Sequence, residues 1–296
     1  MTTRPIRRPL VSYARLRSEP AIHAQEILLL VVLGLFVGAY GTLVGVGGGF
    51  IVVPLLLLIY KMPPPQAAAT SLVVVFLNAS SGSISYFRKG RVDIRTGLIL
   101  AAGTIPGAFI GPVIAQHIPE RAFKIFFACF LIVMSAFLAL RPERDEGSRR
   151  TVGGEWLRLS RRFTDKDGHA FEYSYSLPLA VTISFFVGIL SSLLGIGGGI
   201  VHVPAMIHLM GFPVHIATAT SHFVLAITAL TGVIEYGLRG QIVWPVAAAI
   251  GAGVVVGAQG GAALSQRMKG RRIVRLLTLA VVALAVRLLW SAVVTG

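Results

Sequence analysis

Gly45-Val46-Gly47-Gly48-Gly49-Phe50-Ile51-Val52-Val53-Pro54 decides the fold, because it returns 150 residues later as Gly195-Ile196-Gly197-Gly198-Gly199-Ile200-Val201-His202-Val203-Pro204. The offset then holds without a gap. Pro63 falls on Pro213, Ala67 on Ala217, Thr70-Ser71 on Thr220-Ser221, Gly82 on Gly232, Tyr86 on Tyr236, Gly90 on Gly240, Gly103 on Gly253 and Gly107 on Gly257. A duplicated apolar chain with a glycine-rich break at the same place in each copy is the pattern of transporters assembled from structural repeats.

The 296 residues are 55% hydrophobic and 13% charged, with a mean hydropathy of +0.78. Such a chain is too apolar for a soluble domain of its size and belongs in a lipid bilayer. A span needs about 17 to 25 apolar residues. Stretches of that kind lie near 26–60, 66–87, 96–116, 122–140, 177–210, 214–236, 243–265 and 273–294, which makes eight segments, four per copy. The reading is an all-α polytopic membrane protein with two pseudo-symmetric four-segment repeats and Gly-rich broken helices. Its parts are a basic tail over 1–25, a first repeat over 26–140, a polar linker over 141–176 and a second repeat over 177–296.

A net charge of +15 raises the question of nucleic acid, but Lys and Arg fall almost entirely in the breaks between apolar segments. That is the positive-inside signature of an inner-membrane protein, so no nucleic-acid partner is expected. Cys129 is the single cysteine and lies within the fourth apolar segment, which excludes disulfides and thiolate metal sites. The basic tail carries Arg4, Arg7, Arg8, Arg15 and Arg17. The apolar run after it is too long for a cleaved signal peptide, so the tail reads as retained. In the linker, Trp156 to Arg161 and Phe171 to Tyr175 alternate in character around Asp167-Gly168. This predicts a small β-hairpin, with a solvated linker as the competing reading.

Residues 26–60 and 177–210 are too long for one straight span. About 34 residues at about 1.5 Å each overrun a hydrocarbon core of about 30 Å by some 20 Å. Each must be broken or doubled back at its glycine motif, with Pro54 and Pro204 near the start of the half-helix that follows. If each crosses once, the cluster Arg267, Lys269, Arg271, Arg272 and Arg275 falls outside. If each doubles back, the cluster joins the cytoplasmic side and the basic tail leaves it. Both schemes put the 88–95 loop and the linker in the cytoplasm.

Irregular backbone survives at membrane depth only when buried in protein or facing a water-filled cavity. The Gly45–Gly49 and Gly195–Gly199 breaks therefore face the interior. The amides of Gly47, Gly48 and Gly49, and of Gly197, Gly198 and Gly199, lie at positive half-helix ends and form an anion cradle without a charged side chain. Close packing through small residues is the competing reading. Thr70, Ser71, Thr220 and Ser221 open the next helix of each repeat with hydroxyls that either donate to an oxyanion or bond back to their own helix. Asn78 lies two turns further on, opposite Thr228, and either lines the pathway or bridges helices.

The repeats differ where His202 replaces Val52 and His222 replaces Leu72. Both imidazoles are candidates for proton coupling or anion binding, and equally for neutral core histidines. His208 and His215 read as interfacial, Glu235 as a snorkelling helix-end residue, and Trp244 and Trp290 as an aromatic belt. HExxH, GxSxG and P-loop signatures are absent, so no catalytic residue, metal or cofactor is expected. Homo-oligomerisation stays open.

The duplicated motif, together with the Thr70-Ser71 helix ending in Tyr86-Phe87-Arg88-Lys89-Gly90-Arg91-Val92-Asp93, resembles the TauE/SafE sulfite exporter family over nearly the whole chain after the tail. The resemblance implies passage of sulfite, sulfoacetate or related sulfonates across the bacterial inner membrane without ATP. The second repeat departs from it by placing Val243-Trp244 where the first has Asp93-Ile94. From the residues themselves the expected substrate is a small anion. A permease for other small organic acids and a non-transporting membrane scaffold are the alternatives.

Overall fold

A computed structural model describes residues 24–140, 157–164, 168, 170–268 and 270–294. The basic tail, the charged stretch 141–156, Asp167 and Lys269 lie outside the described residues. The chain is mostly helical: α1 (Ala24–Val44), α2 (Gly49–Leu58), α3 (Pro64–Arg88), α4 (Ile94–Ala115), α5 (Glu120–Leu140), β1 (Arg158–Thr164), β2 (Ala170–Ser176), α6 (Leu177–Leu194), α7 (Gly199–His208), α8 (Val214–Leu238), α9 (Trp244–Arg267) and α10 (Gly270–Val294).

Among the described residues six helices are long and apolar enough to cross a membrane: α1, α3, α4, α6, α8 and α9 as far as Ser265. The protein is a multi-pass membrane protein. Outward-facing Leu28, Leu29, Phe36, Val133, Val256, Leu279 and Val286 present an apolar surface to lipid, which Cys129 shares. Helices α5 and α10 pack against each other and carry Glu120, Arg121 and Lys124, or Arg271, Arg272 and Arg275, near their starts.

The chain reverses at each glycine break. Ten helical residues in a straight line would separate Tyr40 from Phe50 by about 15 Å, yet their ring centroids lie 6.4 Å apart. A Cβ on Gly198 would stand 2.6 Å from Val187 Cγ1, which is the same reversal at the second break. The half-helices α2 and α7 therefore run back antiparallel to α1 and α6.

Helices from the two halves of the sequence interleave. Gly34 and Gly38 of α1 pack on Ile250 and Val254 of α9, and Gly103 and Gly107 of α4 pack on Ser184 and Phe185 of α6. Both pairs are parallel, and glycine lets the backbones approach closely. Between them α3 and α8 cross antiparallel, with Gly82 against His222 and Gly232 against Leu72. One end of the bundle gathers the 89–93 loop, the 209–213 loop and the hairpin. Strands β1 and β2 pair from Arg158↔Ser176 to Thr164↔Ala170, and the Tyr173 ring lies tilted against that of Phe212, with centroids 3.9 Å apart.

Candidate functional site

The first break places Gly45, Gly47 and Gly48 at φ +82°, +82° and +81°; the second places Gly195, Gly197 and Gly198 at +71°, +80° and +84°. These are left-handed conformations that a Cβ resists, which is why glycine stands here. Gly48 and Gly198 are the N-caps of α2 and α7 and supply no side-chain cap. Their carbonyls accept from Ile51 and Val52, and from Val201 and His202. Of the amides expected to form the first cradle, that of Gly47 is spent on the Gly41 carbonyl at 3.2 Å, while those of Gly48, Gly49 and Phe50, and those of Gly198, Gly199 and Ile200, find no backbone acceptor among the described residues. All six residues are buried. Two half-helix N-termini thus present unpaired donors inside the protein, at the positive ends of their dipoles.

The two breaks touch. A Cβ on Gly49 would stand 2.6 Å from the Gly195 carbonyl oxygen, and one on Gly199 would stand 2.7 Å from that of Gly45. Ser71 Oγ donates to Gly195 O at 2.7 Å, and Ser221 Oγ to Gly45 O at 3.2 Å. Each serine therefore ties down the break of the other half. Thr70 Oγ1 accepts from the Val243 amide and Thr220 Oγ1 from the Asp93 amide, both at 3.1 Å. Tyr86 and Tyr236 donate to the carbonyls of Thr42 and Ser192. In this conformation the hydroxyls of Thr70, Ser71, Thr220 and Ser221 are committed to protein partners.

Val75 of α3 and Leu225 of α8 fill the space between the breaks. A Cβ on Gly47 would stand 2.8 Å from Leu225 Cδ2 and 3.1 Å from Val75 Cγ1, and Gly197 faces the same two side chains. Both are fully buried. Pro54 and Pro204 sit deeper than the sequence led us to expect: they are the sixth residues of α2 and α7 rather than first-turn residues. There each deprives a carbonyl one turn back, Phe50 or Ile200, of its intrahelical donor.

Side chains around the two breaks differ. At the first, Asn78 Nδ2 donates to Gly47 O at 2.9 Å, so its Oδ1 must accept, and Thr42 Oγ1 donates to it at 2.8 Å. With its proton so used, Thr42 accepts from His222 Nε2 at 3.2 Å, which fixes the proton of a neutral imidazole on Nε2. His222 also lies edge-on to Tyr86. At the second break, His202 Nε2 lies 3.3 Å from Ser184 Oγ, and Thr228 bonds Thr104 at 2.6 Å. Nδ1 of both histidines and Oγ of Ser191 are buried without a hydrogen bond among the described residues. His208, expected at an interface, is buried with its ring edge-on to Phe137. Glu235 pairs with Arg239 one turn away at a helix end.

Sequence reasoning missed Val75, Leu225, Thr42 and Ser191. It also gave Asp93 no role. This carboxylate, 1% exposed, caps α4 through the Thr96 amide at 3.2 Å. It also accepts from Thr96 Oγ1 at 2.8 Å, Arg161 Nη2 at 2.9 Å and the Tyr173 hydroxyl. Burial works against its charge, but these hydrogen bonds outweigh burial and bring the carboxyl down to about 2. Burial, and then the adjacent carboxylate, push Tyr173 up. Asp93 thereby pins the hairpin to the bundle, and its amide reaches Thr220 beside the second serine.

Residues 30–288 match the family model described as Sulfite exporter TauE/SafE. The chain is 32% identical over 276 residues to "Probable membrane transporter protein YunE" of Bacillus subtilis, covering 90% of this chain and 99% of that one. It is 26% identical over 212 residues to "Probable membrane transporter protein ORF9" of a Sinorhizobium species, covering 71% and 73%. To "Probable membrane transporter protein YfcA" of Escherichia coli K12 it is 24% identical over 206 residues, covering 67% of each chain. No solved structure matches.

Proposed function

This chain belongs to the TauE/SafE sulfite exporter family, and from that premise we propose that it is a secondary transporter of small anions, sulfur-containing oxyanions or organosulfonates foremost, working by alternating access in the bacterial inner membrane. The observation that carries the reading is the pair of buried half-helix N-termini whose amides find no backbone acceptor among the described residues. Unpaired buried N–H groups are rare in proteins and costly. A small anion satisfies several at once and gains from both dipoles. Val75 and Leu225 are the gate in this closed conformation, and the anion passes when α3 and α8 part.

The interleaved packing supports moving bodies drawn from both halves, α1 with α9 and α4 with α6, rather than one repeat rocking against the other. The hairpin end carries Arg88, Lys89, Arg91, Arg95, Arg158, Arg161, Arg162, Arg267 and Arg272, which by the positive-inside rule is the cytoplasmic end. The pseudo-two-fold axis, on this reading, runs between the glycine breaks.

Uptake of radiolabelled sulfite, sulfoacetate and taurine by proteoliposomes tests the proposal. We expect flux of at least one anion, lost in the Gly198→Leu variant. Correctly inserted protein that moves none of them overturns the anion reading. Proton coupling is favoured by His222, whose Nδ1 is buried without a hydrogen bond while Nε2 is held by Thr42. Its mark is flux driven by an imposed pH gradient and uncoupled from it in His222→Ala; wild-type flux indifferent to the gradient excludes it.

A further inference from the structure

We infer that the α7 end of the site holds the anion and that Ser191 is a substrate-binding residue there, donating a hydrogen bond to an anion oxygen. The inference rests on the anion-transport reading above. Ser191 stands where the first half has Gly41, and the two positions are built differently. A Cβ on Gly41 would stand 2.5 Å from the Gly48 nitrogen, so the first loop closes on α1 with no room for a side chain. At the second break a side chain is present. Ser191 Cβ lies 3.3 Å, and its Oγ 3.6 Å, from the point where a Cβ on Gly198 would stand, against the N-cap of α7.

Ser191 is 0% exposed, and its hydroxyl has no hydrogen-bond partner among the described residues. Its neighbours are otherwise served. Ser192 bonds back to Gly188 O, Ser71 and Ser221 bond the breaks, and the Ser191 carbonyl accepts from Gly195 and Ile196. The orphan hydroxyl lies beside Gly198, the N-cap of α7, and the amides of Gly198, Gly199 and Ile200 that open this helix are also without backbone acceptors among the described residues. A hydroxyl and three N–H groups make an array of donors. A water accepts at most two hydrogen bonds and must place its own protons, whereas an oxyanion such as sulfite only accepts and can answer the whole array. The α2 end offers amides alone, because Asn78 and Thr42 are spent on Gly47 and on each other.

The test is the kinetics of sulfite uptake into proteoliposomes, with sulfite-dependent thermal stabilisation of detergent-purified protein as a direct binding readout. The proteins are wild type, Ser191→Ala and, as a control for a buried unpaired serine away from the breaks, Ser83→Ala. We expect Ser191→Ala to raise KM about tenfold, the effect of losing one hydrogen bond to a charged ligand. Vmax stays within about twofold, since the hydroxyl acts on binding. The thermal shift with sulfite is lost, while stability without sulfite is kept. Ser83→Ala changes none of these. Unchanged KM and shift in Ser191→Ala, in a wild type that transports sulfite, overturns this inference alone. Equal damage in Ser83→Ala overturns it too, by showing a general packing effect. A wild type that neither transports nor is stabilised by sulfite or sulfoacetate overturns the anion reading and this inference with it.

Discussion

The two glycine breaks share a backbone and differ in the side chains around it. Around the first, Thr42, Asn78 and His222 form one hydrogen-bonded chain that ends on the Gly47 carbonyl. Around the second, the Ser191 hydroxyl has no partner among the described residues, whereas an unbonded histidine Nδ1 stands at both, His222 at the first and His202 at the second. The duplicated glycines supply geometry to both, namely reversed chain, positive φ and amides without backbone acceptors among the described residues. Chemistry was then added unequally. A site built this way has one end tied and one end open, and transport variants should reveal which end is which.

The largest effect is expected at the N-caps. Any Cβ at Gly48 or Gly198 meets Val37 or Val187 at 2.5 or 2.6 Å and must adopt a positive φ. Such a position costs about 1–3 kcal/mol in backbone strain alone. Gly48→Leu and Gly198→Leu should both abolish uptake. The alanine pair sharpens the comparison: Gly198→Ala is expected to lower flux at least as much as about tenfold, and Gly48→Ala distinctly less, measured as initial rates at equal protein in the bilayer. Equal losses would erase the distinction between the two ends.

Much of this was legible in the residues. An offset of 150 that never slips revealed the duplication, and the length of the two first segments required a break at the glycines. Composition marked eight apolar segments, and among the described residues six of them carry a helix long and apolar enough to cross a membrane. Partner choice was not legible. Nothing in Ser71 or Ser221 says that each bonds the break of the other half, because that depends on α3 crossing α8. Val75 and Leu225 are apolar residues in apolar helices, and only their place at that crossing gives them a role. Ser191 carried a signal that was available, a hydroxyl four residues before Gly195 where the other copy has Gly41. Asp93 departs from Val243 in the same visible way, but its partners Arg161 and Tyr173 come from a strand pair far along the chain.

The tied end makes a stability prediction. Asn78→Ala removes the donor to Gly47 O and strands the Thr42 hydroxyl, at an expected cost of about 1–3 kcal/mol. Thr228→Ala at the matching position removes a hydroxyl bonded to Thr104 and to its own helix, and should cost about 1 kcal/mol. Thermal unfolding in detergent compares them, and a Thr228→Ala variant weaker than Asn78→Ala would mean that the second end is the tied one. Between the ends, Leu225→Ala is expected to widen the proposed gate. It should raise the rate ratio of sulfoacetate to sulfite about tenfold, the low end of pocket-size discrimination. An unchanged ratio would move the constriction away from Val75 and Leu225.

The smallest effect lies furthest from the breaks, where the halves differ most plainly: Asp93 against Val243. With hydrogen bonds from Arg161, Tyr173 and Thr96 prevailing over burial, the Asp93 carboxyl titrates at about 2 in the folded protein, below its ordinary value of 3.8. A depressed carboxylate contributes stability that is fully present above its unfolded pKa and is lost as pH falls through its folded one. The window is therefore from about 4 down to about 2. Asp93→Asn keeps the shape but loses the charge that Arg161 answers, so it should melt below wild type at pH 6, with the gap narrowing as pH drops through that window. A gap that persists at the acid end would assign the role of Asp93 to shape and neutral hydrogen bonding. The hairpin would then be held chiefly by Tyr173 and Tyr175 against Phe212, a contact that acid leaves intact.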